Sequence, residues 1–225
     1  MPSSHRRLGK DRMHTIYILS LHFVLALLAH SAPLPECSGK AGPLMDSQEF
    51  EKIVMASSSL VSKVRSDIEG VRKSCVPEAF KWDSPTQNLQ YMKSVLGIPP
   101  SPILKSLSND FTMELCLNHI SEGLQLHQDL LTSIRDRISK PEKMTELLAD
   151  IRDLLAQVVK MRELAQLGAG EQYGGSGLSA QLTEVYKVQA AAHITLDQLD
   201  SFSQHVFRSL RNIRTVAQAK PAASC

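Results

Sequence analysis

The chain has 225 residues, with 25 Lys+Arg against 23 Asp+Glu (formal net charge +2), 43% hydrophobic and 5% aromatic residues. That length allows one domain of ordinary size with a well-filled core. The balanced charge speaks against a nucleic-acid binder, whose affinity needs a concentrated basic surface to displace counterions.

Arg6, Arg7, Lys10 and Arg12 precede an apolar run over 16–29, which ends in Ala29-His30-Ser31. About fourteen apolar residues are too few to span a bilayer, which takes roughly twenty. The layout reads as a secretory signal peptide over 1–31, cleaved after Ser31, with Met13 as an internal start. Removing it takes away four basic residues and one acidic one, leaving 21 Lys+Arg against 22 Asp+Glu. No later segment is apolar enough to insert in a membrane, so the expectation is a secreted, extracellular domain over 32–225. Cys37, Cys75, Cys116 and Cys225 form no CxxC pair, and in a secreted chain one or two disulfides are expected. No Asn-x-Ser/Thr sequon is present.

The mature region is dominated by helical periodicity. Helix A is expected over 47–73. Phe50, Ile53, Val54, Leu60, Val61, Val64, Ile68 and Val71 recur at three- and four-residue steps, and Asp46 with Glu49 forms a capping box. Residues 74–105 hold Pro77, Pro85, Pro99, Pro100 and Pro102, which forbid one long helix, although 86–96 suits a short one. This connection carries the only tryptophan, Trp82.

Helix B is expected over 106–138, with Leu107, Phe111, Leu115, Ile120, Leu124, Leu131, Ile134 and Ile138 as its stripe. Ser139, Pro141 and Glu142 then signal a capped start to helix C, over 141–166. Its stripe is Met144, Leu147, Leu148, Ile151, Leu154, Leu155, Val158 and Val159. Residues 168–177 read as a flexible glycine-rich linker, not a phosphate loop. Helix D is expected over 179–217, through Leu182, Val185, Ala192, Leu196, Leu199, Val206, Leu210 and Ile213. No strand is apparent, and 218–225 reads as a loose tail.

Four amphipathic stripes bury one another in an all-α four-helix bundle. The short B–C connection makes B and C antiparallel. The A–B connection, about thirty residues at ~3.3 Å each, can run back along a helix ~40 Å long, which favours up-up-down-down order. The C–D linker reaches ~35 Å at most, so its overhand crossing needs a turn of helix to fray.

Three stretches add to this reading: V-L-G-I-P-P-S-P (95–102), C-L-N-H-I-S-E-G-L-Q-L-H-Q-D-L-L (116–131) and S-F-S-Q-H-V-F-R-S-L-R-N-I (201–213). In order and separation they resemble the granulocyte colony-stimulating factor family of interleukin-6 class long-chain helical cytokines, over about 50–217, as a non-mammalian vertebrate homologue. The resemblance implies a secreted growth factor, monomeric before binding. It would bring class I cytokine receptor chains together and drive proliferation and differentiation of granulocyte-lineage cells.

It also implies two receptor patches. One lies on helices A and C and matches Lys63, Asp150 and Asp153, with Ala149 beside them. Other polar helix A positions of that patch are here Ala56, Ser59, Leu60 and Ser62. Asp150 and Asp153, three apart, share a face. The second patch joins the crossover to the start of helix D and matches Asn88, where the family has an acid, and Tyr186. Cys75 and Cys116 each match one member of a family disulfide whose partners align with Ser84 and Ser106. With A and B parallel, Cys75 and Cys116 lie at opposite ends, so any bridge is expected to involve Cys37 with Cys225 or Cys116, leaving Cys75 unpaired.

No catalytic constellation, metal set or cofactor motif is found, and neither an enzyme nor a cofactor is expected. His119, His127, His193 and His205 are expected at the surface or the bundle edge. Arg208, Arg211 and Arg214 read either as compensation of the helix D dipole or as a weak heparan sulfate contact. The rival reading is a secreted amphipathic-helix lipid-binding protein, whose helices would open onto lipid.

Overall fold

Among the described residues, apolar side chains at helical spacing form five α-helices, and there is no strand. The computed structural model describes residues 47–75, 86–104, 112–168, 170 and 173–219, all within the unit Pro43–Cys225. The expected leader, Asp46 of the capping box, Trp82, Ser84, Ser106, Leu107, Phe111, Cys37 and Cys225 lie outside the described residues, as do the side chains of Thr86, Gln87 and Asn88.

Helix α1 spans Ser47–Cys75. Its buried stripe is Phe50, Ile53, Val54, Val61, Val64, Ile68 and Val71, with Ser57 and Cys75 on the same face and Leu60 at its edge. Serine is an indifferent helix former because its hydroxyl competes for the backbone. Here the hydroxyls bond within the helix, Ser58 to the Val54 carbonyl at 2.9 Å and Ser62 to the Ser58 carbonyl at 3.0 Å.

Helix α2, Thr86–Leu96, is the short helix expected in the crossover. The Leu-Gly-Ile-Pro stretch is its stop signal. Gly97 takes the left-handed φ of +65°, and Ile98 N–H bonds to the Lys93 carbonyl at 3.1 Å while Gly97 N–H bonds to the Ser94 carbonyl at 3.2 Å. These are the two bonds of a Schellman ending, and the following Pro99 cannot continue the helix.

Helix α3, Met113–Arg135, starts later than the 106 expected. Thr112 caps it with extended backbone, its hydroxyl accepting Leu115 N–H at 3.2 Å. It ends at a turn through Asp136 rather than at Ile138. Leu115, counted in its stripe, is exposed; the buried face runs instead through Cys116, Leu117, Ile120, Leu124, His127, Leu131 and Ile134.

Helix α4, Glu142–Leu164, is entered through Pro141 with no side-chain cap, so the expected Ser139–Glu142 box is not formed. Thr145 supplies the local bond instead, its N–H and hydroxyl reaching the Pro141 carbonyl at 2.8 and 2.9 Å. Val159, counted in the α4 stripe, is exposed, and Met161 closes the buried face in its place. A left-handed Gln166 ends α4 with the same two bonds as α2, from Leu167 and Gln166 N–H to the Arg162 and Glu163 carbonyls.

The glycine-rich connection is fastened, which corrects the reading of it as a flexible linker. Tyr173 N–H donates to the Gln125 amide oxygen at 3.0 Å. Ser176 donates twice to the Asp129 carboxylate, from N–H at 2.8 Å and from Oγ at 2.5 Å. Gly175 and Gly177 adopt left-handed φ values of +87° and +68°, which lets the chain turn between these anchors. A single 3₁₀ turn, Leu178–Ala180, precedes helix α5, Val185–Ala219. Leu178 and Leu182 are buried before α5 begins, whereas Val185, counted in its stripe, is 74% exposed.

Helix α1 packs against α4 and α5, and α3 packs against the same two. The ion pairs give direction. Glu49 and Lys63 of α1 meet Lys160 and Asp150 of α4, and Glu51, Arg65 and Arg72 meet Arg214, Asp200 and Asp197 of α5. Numbers rise on α1 as they fall on its partners, so both contacts are antiparallel.

Candidate functional site

The residues expected on the helix A/C patch come together in part. Lys63 of α1 pairs with Asp150 of α4 and lies 3.7 Å from Asp67, one turn along. Asp150 is buried, which corrects the expectation of an exposed carboxylate. Position 150 sits beside Leu147, Ile151 and Leu154 on the edge of α4 that faces α1, so its carboxylate is covered by the packed helix and by Lys63. The hydrogen bond to Asp150 raises the pKa of Lys63. Asp153 is exposed and has no ion-pair partner among the described residues, and Ala149 is half-buried. Farther along the seam, Lys160 pairs with Glu49 at 2.8 Å. Beside that pair lies a shallow depression lined by Lys52, Ala56 and Gln157. Ala56, Ser59 and Ser62 are exposed, as a surface patch requires, but they offer small side chains.

The second patch is less complete. Asn88 lies in α2, where its side chain is outside the described residues. Tyr186 is 46% exposed in the first turn of α5. The Arg72–Asp197 pair at 2.7 Å sets the register, so Tyr186 falls about three turns beyond it, past the Cys75 end of α1. The crossover also exposes apolar residues that the sequence reading missed. Tyr91 is 69% exposed and Val95 is exposed one turn later on the same face of α2, while Met92 and Leu96 point into the core. The available signal was two apolar pairs at four-residue spacing in an eleven-residue helix, one pair more than burial needs.

The histidines divide. His127 is wholly buried, contrary to the surface or edge position expected for it. Its ring stacks on Phe202 at 5.2 Å between centroids and 26° between planes. Nδ1 donates to the Gly123 carbonyl at 2.7 Å, leaving Nε2 to accept from Ser101 Oγ at 3.4 Å. Burial lowers its pKa to about 4. His193 is half-buried between Arg72, whose Nη1 donates to Nδ1 at 3.2 Å, and Asp197. Burial lowers its pKa, opposed by Asp197. His119 reaches the Ile103 carbonyl at 3.0 Å, and His205 is exposed.

Of the basic stripe on α5, Arg208 and Arg211 are exposed, while Arg214 is held by Glu51 at 2.9 and 2.5 Å. Cys75 and Cys116 are buried free thiols whose pKa burial raises, so neither is poised as a nucleophile. The described residues contain no group of three or more His, Cys, Asp or Glu able to hold a metal, and no described helix is long and apolar enough to cross a membrane. No protein-family profile matches the chain, and no curated protein matches it.

Proposed function

We propose that this chain is a secreted helical cytokine, a ligand that acts by holding class I cytokine receptor chains together, and that its four long helices run up-up-down-down. The observation that carries this reading is the packing pattern: α1 and α3 each lie antiparallel to the α4/α5 pair or share an interface with it, and the long connection between them carries the short helix α2. Gly123 and His127 of α3 meet Phe202 of α5, and the start of α3 meets the end of α4 near Gly170, where Asn118 and Arg162 converge. Two parallel helices followed by two antiparallel ones need such a long first connection. The resemblance of 95–102, 116–131 and 201–213 to the granulocyte colony-stimulating factor family supplies the receptor class and the granulocyte-lineage target.

In this reading the α1/α4 seam is one receptor contact, with Asp153 its exposed anion and Asp150 a covered carboxylate behind it, braced by the half-exposed Lys63. The second contact combines Tyr186 with Tyr91 and Val95, since exposed aromatics gain most when a partner desolvates them. The test is binding of the purified protein to a granulocyte colony-stimulating factor receptor-like ectodomain. Asp153→Lys is expected to weaken binding tenfold or more, about 1.4 kcal/mol or above, with an unchanged helical circular dichroism spectrum. Unaltered affinity removes Asp153 from the contact. Flotation with liposomes in place of receptor binding overturns the proposal in favour of a lipid-binding protein.

A further inference from the structure

The imidazole of His127 is where four parts of the molecule meet. Gly123, one turn earlier on α3, has no side chain, so the Phe202 ring of α5 lies directly against the α3 backbone. His127 then stacks on that ring. From the crossover, Ser101 reaches Nε2, and two residues away Pro99 is tied by its carbonyl to Gln198 of α5 at 2.7 Å. From α2, Lys93 is the charged group that acts on the ring, and it opposes a second positive charge. No carboxylate from α2, α3, α5 or the crossover pairs with His127 among the described residues. The crossover therefore rests on a neutral imidazole with no counter-ion at hand.

We propose that residues 97–104 form an acid-releasable strap: protonation of His127 opens the joint between α3 and α5 beneath Ser101 and frees the crossover from the bundle, while at neutral pH the strap is closed. The closed joint disfavours the charged ring for two reasons, burial and Lys93, and the bond to the Gly123 carbonyl offsets them only in part. Once the strap lifts, water solvates the imidazolium and the penalty vanishes. The second tether to α3 behaves differently. His119 donates from Nδ1 to the Ile103 carbonyl, a bond that both its protonation states can make. Release is thus assigned to His127 alone, and it is independent of the receptor reading.

Hydrogen exchange of the intact protein tests this, with rates corrected for the intrinsic pH dependence of amide exchange. With closed and open values of about 4 and 6.5, the opening of peptides covering 97–104 is expected to rise about 25-fold between about pH 7.4 and pH 5. His127→Phe is expected to abolish that rise, and His119→Gln to keep it. Equal protection at both pH values in the unaltered protein overturns the proposal, as does an undiminished rise in His127→Phe. Should His127→Phe fail to fold, the titration of the His127 ring protons by NMR in the unaltered protein decides: a midpoint near 4 with opening of 97–104 supports the strap, and a midpoint near 6.5 overturns it.

Discussion

Lys63 and Asp150 form an unequal pair: the lysine side chain is 56% exposed and the aspartate side chain only 12%. Each partner therefore leaves something different behind when removed. Without Asp150, the Lys63 ammonium returns to water. Without Lys63, a carboxylate stays under the α1/α4 contact with no other ion-pair partner among the described residues, and an uncompensated charge in such a place is costly. Lys63→Met is thus expected to lower the urea midpoint more than Asp150→Asn does, at neutral pH and with unchanged m-value. The opposite ranking would show that the pair is a surface contact. The same geometry makes Asp150→Lys a poor probe of binding, since it sets two ammonium groups together inside a helix contact.

Asp129 is the anchor of the glycine-rich connection, accepting from both the backbone and the hydroxyl of Ser176. Hydrogen bonds to an ionised acceptor contribute more than neutral ones, and these two are partly shielded. Asp129→Ala is expected to cost about 1–2 kcal/mol and to make 168–177 the first site of limited proteolysis. Cleavage that starts elsewhere, at an unchanged rate in this segment, would mean that the anchor does not hold the loop.

What the sequence made legible was the burial of side chains whose type and position agree. Phe50, Val61, Ile120, Leu147 and Leu210 are apolar, lie on a stripe and are in the core. Misreadings arose where type and position disagree. His127 sits three residues after Leu124 and four before Leu131, squarely on the buried stripe of α3, but its titratable ring suggested the surface. Leu115 has a core side chain one step off that stripe. Asp150 borders Ile151 on α4 and is buried because α1 covers that edge, a fact that belongs to packing between helices. The connection over 168–177 has the composition of a free linker, and its anchors Gln125 and Asp129 lie 48 and 47 residues away in sequence. Local pattern carries no trace of such a pairing. For the seam, spacing placed Asp153 on the same side as Asp150, but only the fold separates the exposed carboxylate from the covered one.

The depressed pKa of His127 makes the fold less stable in acid. In the unfolded chain the ring binds a proton below about 6.5, and in the folded chain only below about 4. The unfolded state therefore holds more protons in this window, and stability falls as pH falls. The stabilisation is whole above pH 6.5, declines as pH drops toward 4, and levels off below it. The loss is at most about 3 kcal/mol, and smaller where opening of 97–104 lets the folded chain take up the proton. Denaturant unfolding at a series of pH values checks this, with His127→Gln as the comparison: the unaltered protein is expected to show the slope between pH 6.5 and 4, and the variant a shallower one. Parallel curves would assign acid sensitivity to other groups.

Gly123 and Phe202 give the sharpest structural test. A Cβ built on Gly123 lies 2.5 Å from Phe202 Cε2 and 2.9 Å from Cε1, with Cζ closer still. Two effects compete in Gly123→Ala. Alanine is the better helix former by about 1 kcal/mol. Against this, a methyl forced into a filled core costs about 1–3 kcal/mol, and the ring cannot swing aside because His127 stacks on it. Contacts this short put the cost at the upper end of that range, so overpacking wins and a net loss approaching about 2 kcal/mol is expected. Phe202→Leu alone is also destabilising, since it removes buried apolar volume. Combined, however, the smaller leucine makes room for the new methyl, and the helix-forming advantage of alanine is recovered. Gly123→Ala in the Phe202→Leu background is therefore expected to be neutral or stabilising, a coupling of at least about 1 kcal/mol in a double-mutant cycle of thermal or urea unfolding. Additive losses would mean that α3 and α5 do not approach each other here as closely as the Gly123–Phe202 contact requires.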